Sequence, residues 1–478
     1  MTLQGSDQPI VLRGRESRLQ GEGVDRNMNL AKKTLTRHVG LGKLMQTSLR
    51  EIEQKAKKDK KHRFENLYRL LNEEALRYSW KNINKNASAG IDKVTAKEFK
   101  ENFDSNIQVI ANGLKRNSYH AKLVRRVDIP KDKNRTRPLG IPALADKLVQ
   151  SAAAKILESI YEQDFVDNSY GYRRNSGPQK AIKILKDELQ GGMYSYIVEA
   201  DIKGFFDNMN HEWIIKMLSE RVNDRAFLRL IKKWLKAGIL HKDGQVEHPV
   251  TGTPQGGIVS PILANIYLHY ALDIWFEKVV KPKCEGEAYL CRYADDFACA
   301  FRYKKDAEKF YNSLGSRLSK FNLELAKEKT NIISFSRLRQ EENTKFEFLG
   351  FEFRWGMSRK GKYIIKRRTS PKKLRKSLRT FKEWCKENRN NRIKKIIDKL
   401  NLKLRGYYNY YGIIGNSKSL WSFFNMAMDI LYKWLNRRSQ RRSFNYEEFD
   451  RMIKRYGILK PRIVEDGYCQ IGFDINFA

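Results

Sequence analysis

Two adjacent carboxylates, Asp295 and Asp296, stand between apolar runs in AYLCRYADDFACAF (288–301). Aspartate disfavours strands, so the pair belongs at a hairpin turn, where both side chains project from one sheet edge. A third, Asp201, closes the apolar run of SYIVEADIKGFF (195–206). Each alone is at home as a turn or cap residue. Together they suit hard cations with oxygen ligands, above all Mg²⁺. Two strand ends that converge three carboxylates can hold two metals about 4 Å apart, an arrangement that activates a hydroxyl and stabilises the leaving oxygen in phosphoryl transfer.

The elements that must position these residues follow from patterning. VRRVDIPKDKNRTRPLGIP (124–142) alternates, carries a Lys/Asn-rich tip and returns, which predicts a β-hairpin with a basic end. Leu144, Leu148, Ala152, Ile156 and Ile160 recur at helical spacing across 143–163. Helices are expected over 29–78, 95–120, 211–236 and 305–321. TGTPQGGIVSPILANIYLHYAL (251–272) is a Gly/Pro loop feeding an apolar helix. TNIISFS (330–336) and KFEFLGFEFRW (345–355) each read as a strand. Strands and helices mixed in this order predict an α+β sheet domain with helices on one face. NASAGID (86–92) is a turn-rich break, and residues 1–28 read as a loose arm.

Charge dominates the composition. The 478 residues include 94 Lys+Arg against 55 Asp+Glu, a formal net charge of +39. Such self-repulsion is costly in a compact state, and a polyanionic partner explains it. Between Arg359 and Arg405 there are 20 Lys/Arg against 3 Asp/Glu. Leu374, Leu378, Phe381 and Cys385 mark one helix there, and Ile393, Ile396, Ile397 and Leu400 another, so 359–405 reads as a basic all-α domain. The five cysteines (284, 291, 299, 385 and 469) form no Cys-x-x-Cys pair, which argues against a zinc knuckle or a disulfide framework and suits a reducing cytosol. No apolar run approaches the ~18 residues that span a bilayer, and the polar N-terminus lacks the apolar core of a signal peptide.

The ordered motifs then resemble those of group II intron-encoded reverse transcriptases, the intron maturases. RPLGIP (137–142) resembles the fingers motif, VEADIKGFFDNMNH (198–211) the first catalytic palm motif, and TGTPQGGIVSPILANIYL (251–268) the PQG motif. YADD (293–296) resembles the catalytic hairpin, LELAKEKT (323–330) and KFEFLGFEF (345–353) the following palm motifs, and LRGYYNYYG (404–412) the core of the thumb or maturase domain. The resemblance spans about 60–440. It implies an α+β right-hand polymerase: a helical N-terminal extension and fingers (29–190), an antiparallel-sheet palm (191–358) and an all-α basic thumb (359–442). A short C-terminal segment (443–478), open to DNA binding, would follow, with no His-Asn-His endonuclease.

Roles are implied position by position. Asp201 and Asp295 would ligate two Mg²⁺ ions, with Mn²⁺ a possible substitute, helped by the Ile202 carbonyl and by Asp296. Phe206 matches the steric gate that selects deoxynucleotides; its plain alternative is a core aromatic. Gln255 would contact the incoming nucleotide. Lys131 and Arg137 match triphosphate-binding positions and Arg125 is a third candidate, against the alternative of a solvated charge run. Lys329 matches the residue that protonates pyrophosphate; a surface lysine is the alternative. Lys372, Lys373, Arg375, Lys376, Arg379 and Arg405 would grip phosphates. Tyr407 and Tyr408 would stack on bases, although at helical spacing at least two of the four tyrosines at 407–411 should be core.

The resemblance implies an RNA-directed DNA polymerase that copies intron RNA during retrohoming and assists splicing. A splicing-only maturase and a domesticated enzyme of repair or defence are the competing readings. The partners implied are intron RNA as template, a DNA primer or target, and dNTPs, with neither a membrane nor a protein partner. The location implied is the bacterial cytoplasm, with the nucleoid or a ribonucleoprotein.

Overall fold

The computed structural model describes residues 45–132, 135–337, 344–440 and 443–465, with backbone alone at 131, 132 and 135. The expected arm at 1–28, Cys469 and the end of the C-terminal segment lie outside the described residues.

The N-terminal part is helical: α1 (45–58), α2 (Glu73–Asn82), α3 (Ala96–Glu101) and α4 (Phe103–Lys115). Thr95 opens α3 with a capping box to Glu98, so the run expected over 95–120 starts as read. It breaks at Asn102 and stops at Lys115. The basic hairpin forms as strands β1 (Val124–Asp132) and β2 (Arg135–Ile141), antiparallel with Arg125 opposite Ile141. Apolar α5 (Leu144–Tyr161) is buried on almost every side, and α6 (Pro178–Gly191) follows.

The catalytic sheet begins with β3 (Tyr196–Ala200); short β4 (Ile202–Lys203) and α7 (Phe205–Asn208) come next. The helix expected over 211–236 is two, α8 (His211–Ser219) and α9 (Arg225–Leu235). The break is imposed from both sides. Val222 bridges Phe64 of the N-terminal segment, and the Asp224 carboxylate accepts from Ala226 N at 2.9 Å and Phe227 N at 3.0 Å to start a new helix. Strands β5 (Ile239–Leu240) and β6 (Val246–Glu247) extend the basic hairpin's sheet, β5 running parallel to β1. Helix α10 (Ser260–Leu268) continues through two π-helical turns, His269–Asp273 and Phe276–Val280.

Strands β7 (Ala288–Tyr293) and β8 (Asp296–Phe301) form the acidic hairpin, followed by α11 (Lys304–Ser319), β9 (Glu324–Leu325) and β10 (Asn331–Ser334). The four-stranded antiparallel sheet runs β10-β3-β8-β7. It is covered on both faces, where helices on one face were expected. Val198, Phe297 and Cys299 face the large core of α5, α10 and α11, whereas Ile197, Ala298 and Ala300 face a second core with α6. The continuous apolar runs of these strands carry that signal, since a sheet with one wet face would alternate.

Two further readings need correction. KFEFLGFEFRW is a hairpin, β11 (Lys345–Phe348) and β12 (Phe351–Met357), turning at Leu349 (φ 48°) and Gly350 (φ 80°). A third strand, β13 (Tyr363–Thr369), joins β12, so the basic helical region starts at Pro371 rather than 359. Ile365 on β13 has an apolar face to bury against the second core, which outweighs the local charge.

The C-terminal bundle comprises α12 (Pro371–Asn388), α13 (Ile393–Tyr411), α14 (Ser417–Leu435) and α15 (Tyr446–Tyr456) around its own core. No helix among the described residues is long and apolar enough to cross a membrane. None of Cys284, Cys291, Cys299 and Cys385 forms a disulfide.

Candidate active site

The β3–β8 register sets Ala200 opposite Phe297, which brings Asp201 to the level of Asp296 at one end of the sheet. Asp295 shares the two-residue loop between Tyr293 and Asp296 with Ala294, whose φ of 56° is left-handed. A positive φ fits the twist that a tight hairpin demands. Asp201 accepts from Ala326 N through its carbonyl at 2.9 Å, while Lys329 Nζ binds its Oδ2. Ile202 pairs with Leu325 across β4 and β9.

Electrostatics tie the three acids together. Asp296 keeps an exposed edge, but crowding strips much of its solvation, and Asp295 and Asp201 add repulsion. These push its carboxyl up to about 6 against the pull of Lys373 and Lys329. One carboxyl held above its ordinary range beside two others marks a place where a divalent cation would relieve charge. Among the described residues no three His, Cys, Asp or Glu side chains gather closely enough to chelate one ion by themselves. The donor set is all oxygen, as Mg²⁺ prefers, and that ion keeps several waters and substrate oxygens in its shell.

The other sequence candidates divide. Phe206 is half-buried on α7, edge-on to Phe205 at 5.5 Å and to Tyr172 at 6.4 Å. The TGTPQGG loop is fastened beside it: Thr253 N donates to the Phe206 carbonyl at 2.9 Å and Gly252 N to Met209 at 2.7 Å. Gly252 has φ 87°, and a Cβ there would lie 2.7 Å from the Asp207 carbonyl oxygen, so only glycine permits this approach. On its other side the loop meets the basic hairpin, Gly140 N donating to the Gln255 carbonyl at 2.7 Å. Arg137 is exposed on β2. The Lys131 side chain lies outside the described residues. Arg125 donates from Nε and Nη2 to the Ala89 carbonyl at 3.2 and 2.8 Å, fastening the NASAGID turn.

In the bundle, Lys372, Lys373, Arg375, Lys376, Arg379 and Arg405 are all exposed. Tyr407 and Tyr408 need correcting as base-stacking residues. Tyr407 stacks on Phe423 at 3.7 Å, and Tyr408 is fully buried with its hydroxyl on the Leu459 carbonyl at 3.2 Å. Their α13 positions face the bundle core. Tyr410 instead reaches the β11–β12 turn, donating to the Leu349 carbonyl at 3.0 Å.

Sequence reasoning missed NSYGY (168–172). It runs beside β7, Arg292 N donating to Asn168 at 3.0 Å and Tyr170 N to the Arg292 carbonyl at 2.9 Å. Gly171 backs the acidic turn so closely that a Cβ would meet Ala294 N at 2.2 Å. Tyr172 follows with φ 56°. Burial and then Asp295 push its hydroxyl up to about 12, and Arg137 opposes, so the basic hairpin and the acidic turn face one ring. A Gly between aromatics in a polar stretch was the available signal.

The reverse transcriptase (RNA-dependent DNA polymerase) family profile matches residues 129–353, and the group II intron maturase-specific domain matches 374–456. The chain is 32% identical to the group II intron-encoded protein LtrA of Lactococcus lactis subsp. cremoris, over 77% of this chain and 73% of that protein. It is 31% identical to protein YkfC of Escherichia coli K12, over 44% of this chain and 62% of that one, and 26% identical to the COX1/OXI3 intron 1 protein of Saccharomyces cerevisiae, over 65% and 45%. With its acidic hairpin, its PQGG loop and these matches, the chain belongs to the group II intron-encoded reverse transcriptase and maturase family and is an RNA-directed DNA polymerase.

Proposed function

We propose that this polymerase is a right hand that copies intron RNA into DNA for retrohoming, with Asp201 and Asp295 as its metal ligands. In this reading residues 29–190 are extension and fingers, 191–358 palm, and the bundle from Pro371 a thumb that also binds intron RNA during splicing. The carrying observation is the acid cluster at the end of β3 and β8, where loss of solvation, and then repulsion from Asp295 and Asp201, lifts Asp296 to about 6.

Asp201, Asp295 and the Ile202 carbonyl would hold Mg²⁺, with Asp296 beside them. Bound there, the ions supply Lewis-acid activation of a primer hydroxyl and charge stabilisation at the leaving pyrophosphate. Arg137 and Lys131 clamp the triphosphate of an incoming dNTP, Arg as a fork and Lys as a point charge. Gln255 lies on the loop that joins Gly140 to Phe206, so nucleotide contacts from hairpin, loop and gate stay in one register. Phe206 is buttressed edge-on by Tyr172 and Phe205, and this fixes the ring against a ribose 2′-hydroxyl. Lys329 donates from Nζ to Asp201, and from there it would give a proton to the leaving pyrophosphate. The exposed row on α12 supplies sequence-independent phosphate contacts to template and product.

Primer extension on an RNA template, with Asp295→Ala beside wild type, tests this. The expected result is extension by wild type and its loss in the variant. If both are equally inactive while intron splicing is still promoted, the chain is a splicing cofactor and the polymerase site is vestigial.

A further inference from the structure

Arg292 is the largest fully buried side chain among the described residues, and it stands on β7 three residues before Asp295. Its Nε and Nη2 donate to Asp273 Oδ1 and Oδ2, each at 2.6 Å, and Asp273 is also fully buried. His269 lies 3.9 Å from the same carboxylate, but burial holds its imidazole down near 4, so it does not compete for the charge. A buried ion pair is weak evidence for stability, because apolar side chains of similar volume often serve as well or better. The geometry beyond the pair is more informative.

The planar bidentate contact fixes the guanidinium, and with it the direction of Nη1. That nitrogen donates to Asn265 Oδ1 at 3.2 Å and to the Ala294 carbonyl at 3.1 Å. Asn265 donates in turn from Nδ2 to the Gly171 carbonyl at 2.7 Å, and Gly171 abuts Ala294 N. Ala294, the left-handed residue before Asp295, is therefore held at its carbonyl by Arg292 and closely backed at its nitrogen by Gly171, while Asn265 bonds to both Arg292 and the Gly171 carbonyl. Asp273 closes a π-helical turn, a local widening that recurs at functional sites.

We infer that Arg292, Asp273 and Asn265 are positioning residues that set the place of the Asp295 carboxylate for metal binding. This rests on Asp295 being a metal ligand. The network acts as the outer partners of ligating side chains do, where loss costs roughly 10–100-fold in metal affinity or activity.

The test is primer extension by the full chain, titrated with Mg²⁺, for wild type, Arg292→Lys, and the paired replacement Arg292→Met with Asp273→Leu. The paired replacement removes both charges together and leaves no ion uncompensated. Lysine keeps the charge beside Asp273 but lacks the fork that reaches Ala294. Both variants should keep wild-type melting and template–primer affinity, while half-saturating Mg²⁺ rises or kcat falls by roughly tenfold or more. A folded variant with wild-type kcat and Mg²⁺ dependence overturns the inference, and Arg292→Lys decides if the paired replacement does not fold. Asp295→Ala separates the two levels. If it retains full activity, the metal-ligand reading fails; if it is inactive while Arg292→Lys behaves as wild type, only the positioning role fails.

Discussion

Gly171→Ala adds a single methyl group, yet it should slow the polymerase on the order of a hundredfold in a chain that still folds. The added Cβ would lie 2.2 Å from Ala294 N, 2.9 Å from Ala294 Cα and 3.0 Å from the Tyr293 carbonyl carbon. All three are backbone atoms, so no flexible side chain can swing aside. Ordinary contact needs about 3.5 Å, so the segments must separate by about 1 Å. The NSYGY segment is bound to β7 through Asn168 and Tyr170, and Arg292 holds the Ala294 carbonyl, so the separation must distort that hold and move the acidic turn. Overpacking of this kind costs about 1–3 kcal/mol of stability. A displacement of about 1 Å at reacting groups costs on the order of 10²-fold in rate, about 2.7 kcal/mol of barrier. Single-nucleotide incorporation under saturating template–primer and dNTP measures kcat, and thermal melting measures the fold. A folded Gly171→Ala chain with kcat within about twofold of wild type would show that the turn's position does not limit chemistry, and would sink the reasoning.

Three other outcomes follow. Phe206→Val should raise ribonucleotide incorporation relative to deoxynucleotide, with competition between matched rNTP and dNTP as the assay; unchanged discrimination would return Phe206 to a packing role. Replacing Lys372, Arg375 and Arg379 by Ala should flatten the salt dependence of template–primer affinity by about 2 to 3 units of log–log slope, at roughly 0.7–0.9 per phosphate contact; an unchanged slope would remove this row from the interface. Asp146, buried against the Tyr119 hydroxyl and accepting from Lys122 N at 3.1 Å, is pushed by burial from 3.8 up to about 6. Its folded value is the higher one, so its contribution is present below about pH 4 and lost as pH rises through about 6. Wild type should lose up to about 3 kcal/mol relative to Asp146→Asn between pH 4 and 7; parallel urea-midpoint curves would contradict this.

Much of the site is legible because its chemistry needs rare residue types at interrupted strands. Asp201, Asp295 and Asp296 stand out as acids amid apolar runs, and the structure gathers them at one sheet end. The basic hairpin is readable from alternation on both sides of a charged tip. What escapes is set by long-range packing. The break between α8 and α9 depends on Phe64, far away in the chain. Strand β13 hides in a basic run because only its Ile365 face is buried. Tyr407 and Tyr408 resemble neighbouring tyrosines in composition, and the rotation of α13 alone separates core from seam. Arg292 was a visible anomaly, a charge within a buried strand that demanded an acid, but nothing local named Asp273 as that acid.

The PQGG loop is joined at one end to the basic hairpin, through Gly140 and Gln255, and at the other to Phe206 and Met209. Three stretches distant in the chain thus form one interchangeable part. Shuffling between relatives at a boundary inside this unit, such as a transplanted 124–142 hairpin on its own, would import a surface shaped for a different loop. A crossover that carries hairpin, α7 and loop together would preserve the fit. Recombination among such enzymes, natural or in the laboratory, should therefore tolerate breakpoints in α6 or between α12 and α13 better than any that divide these three.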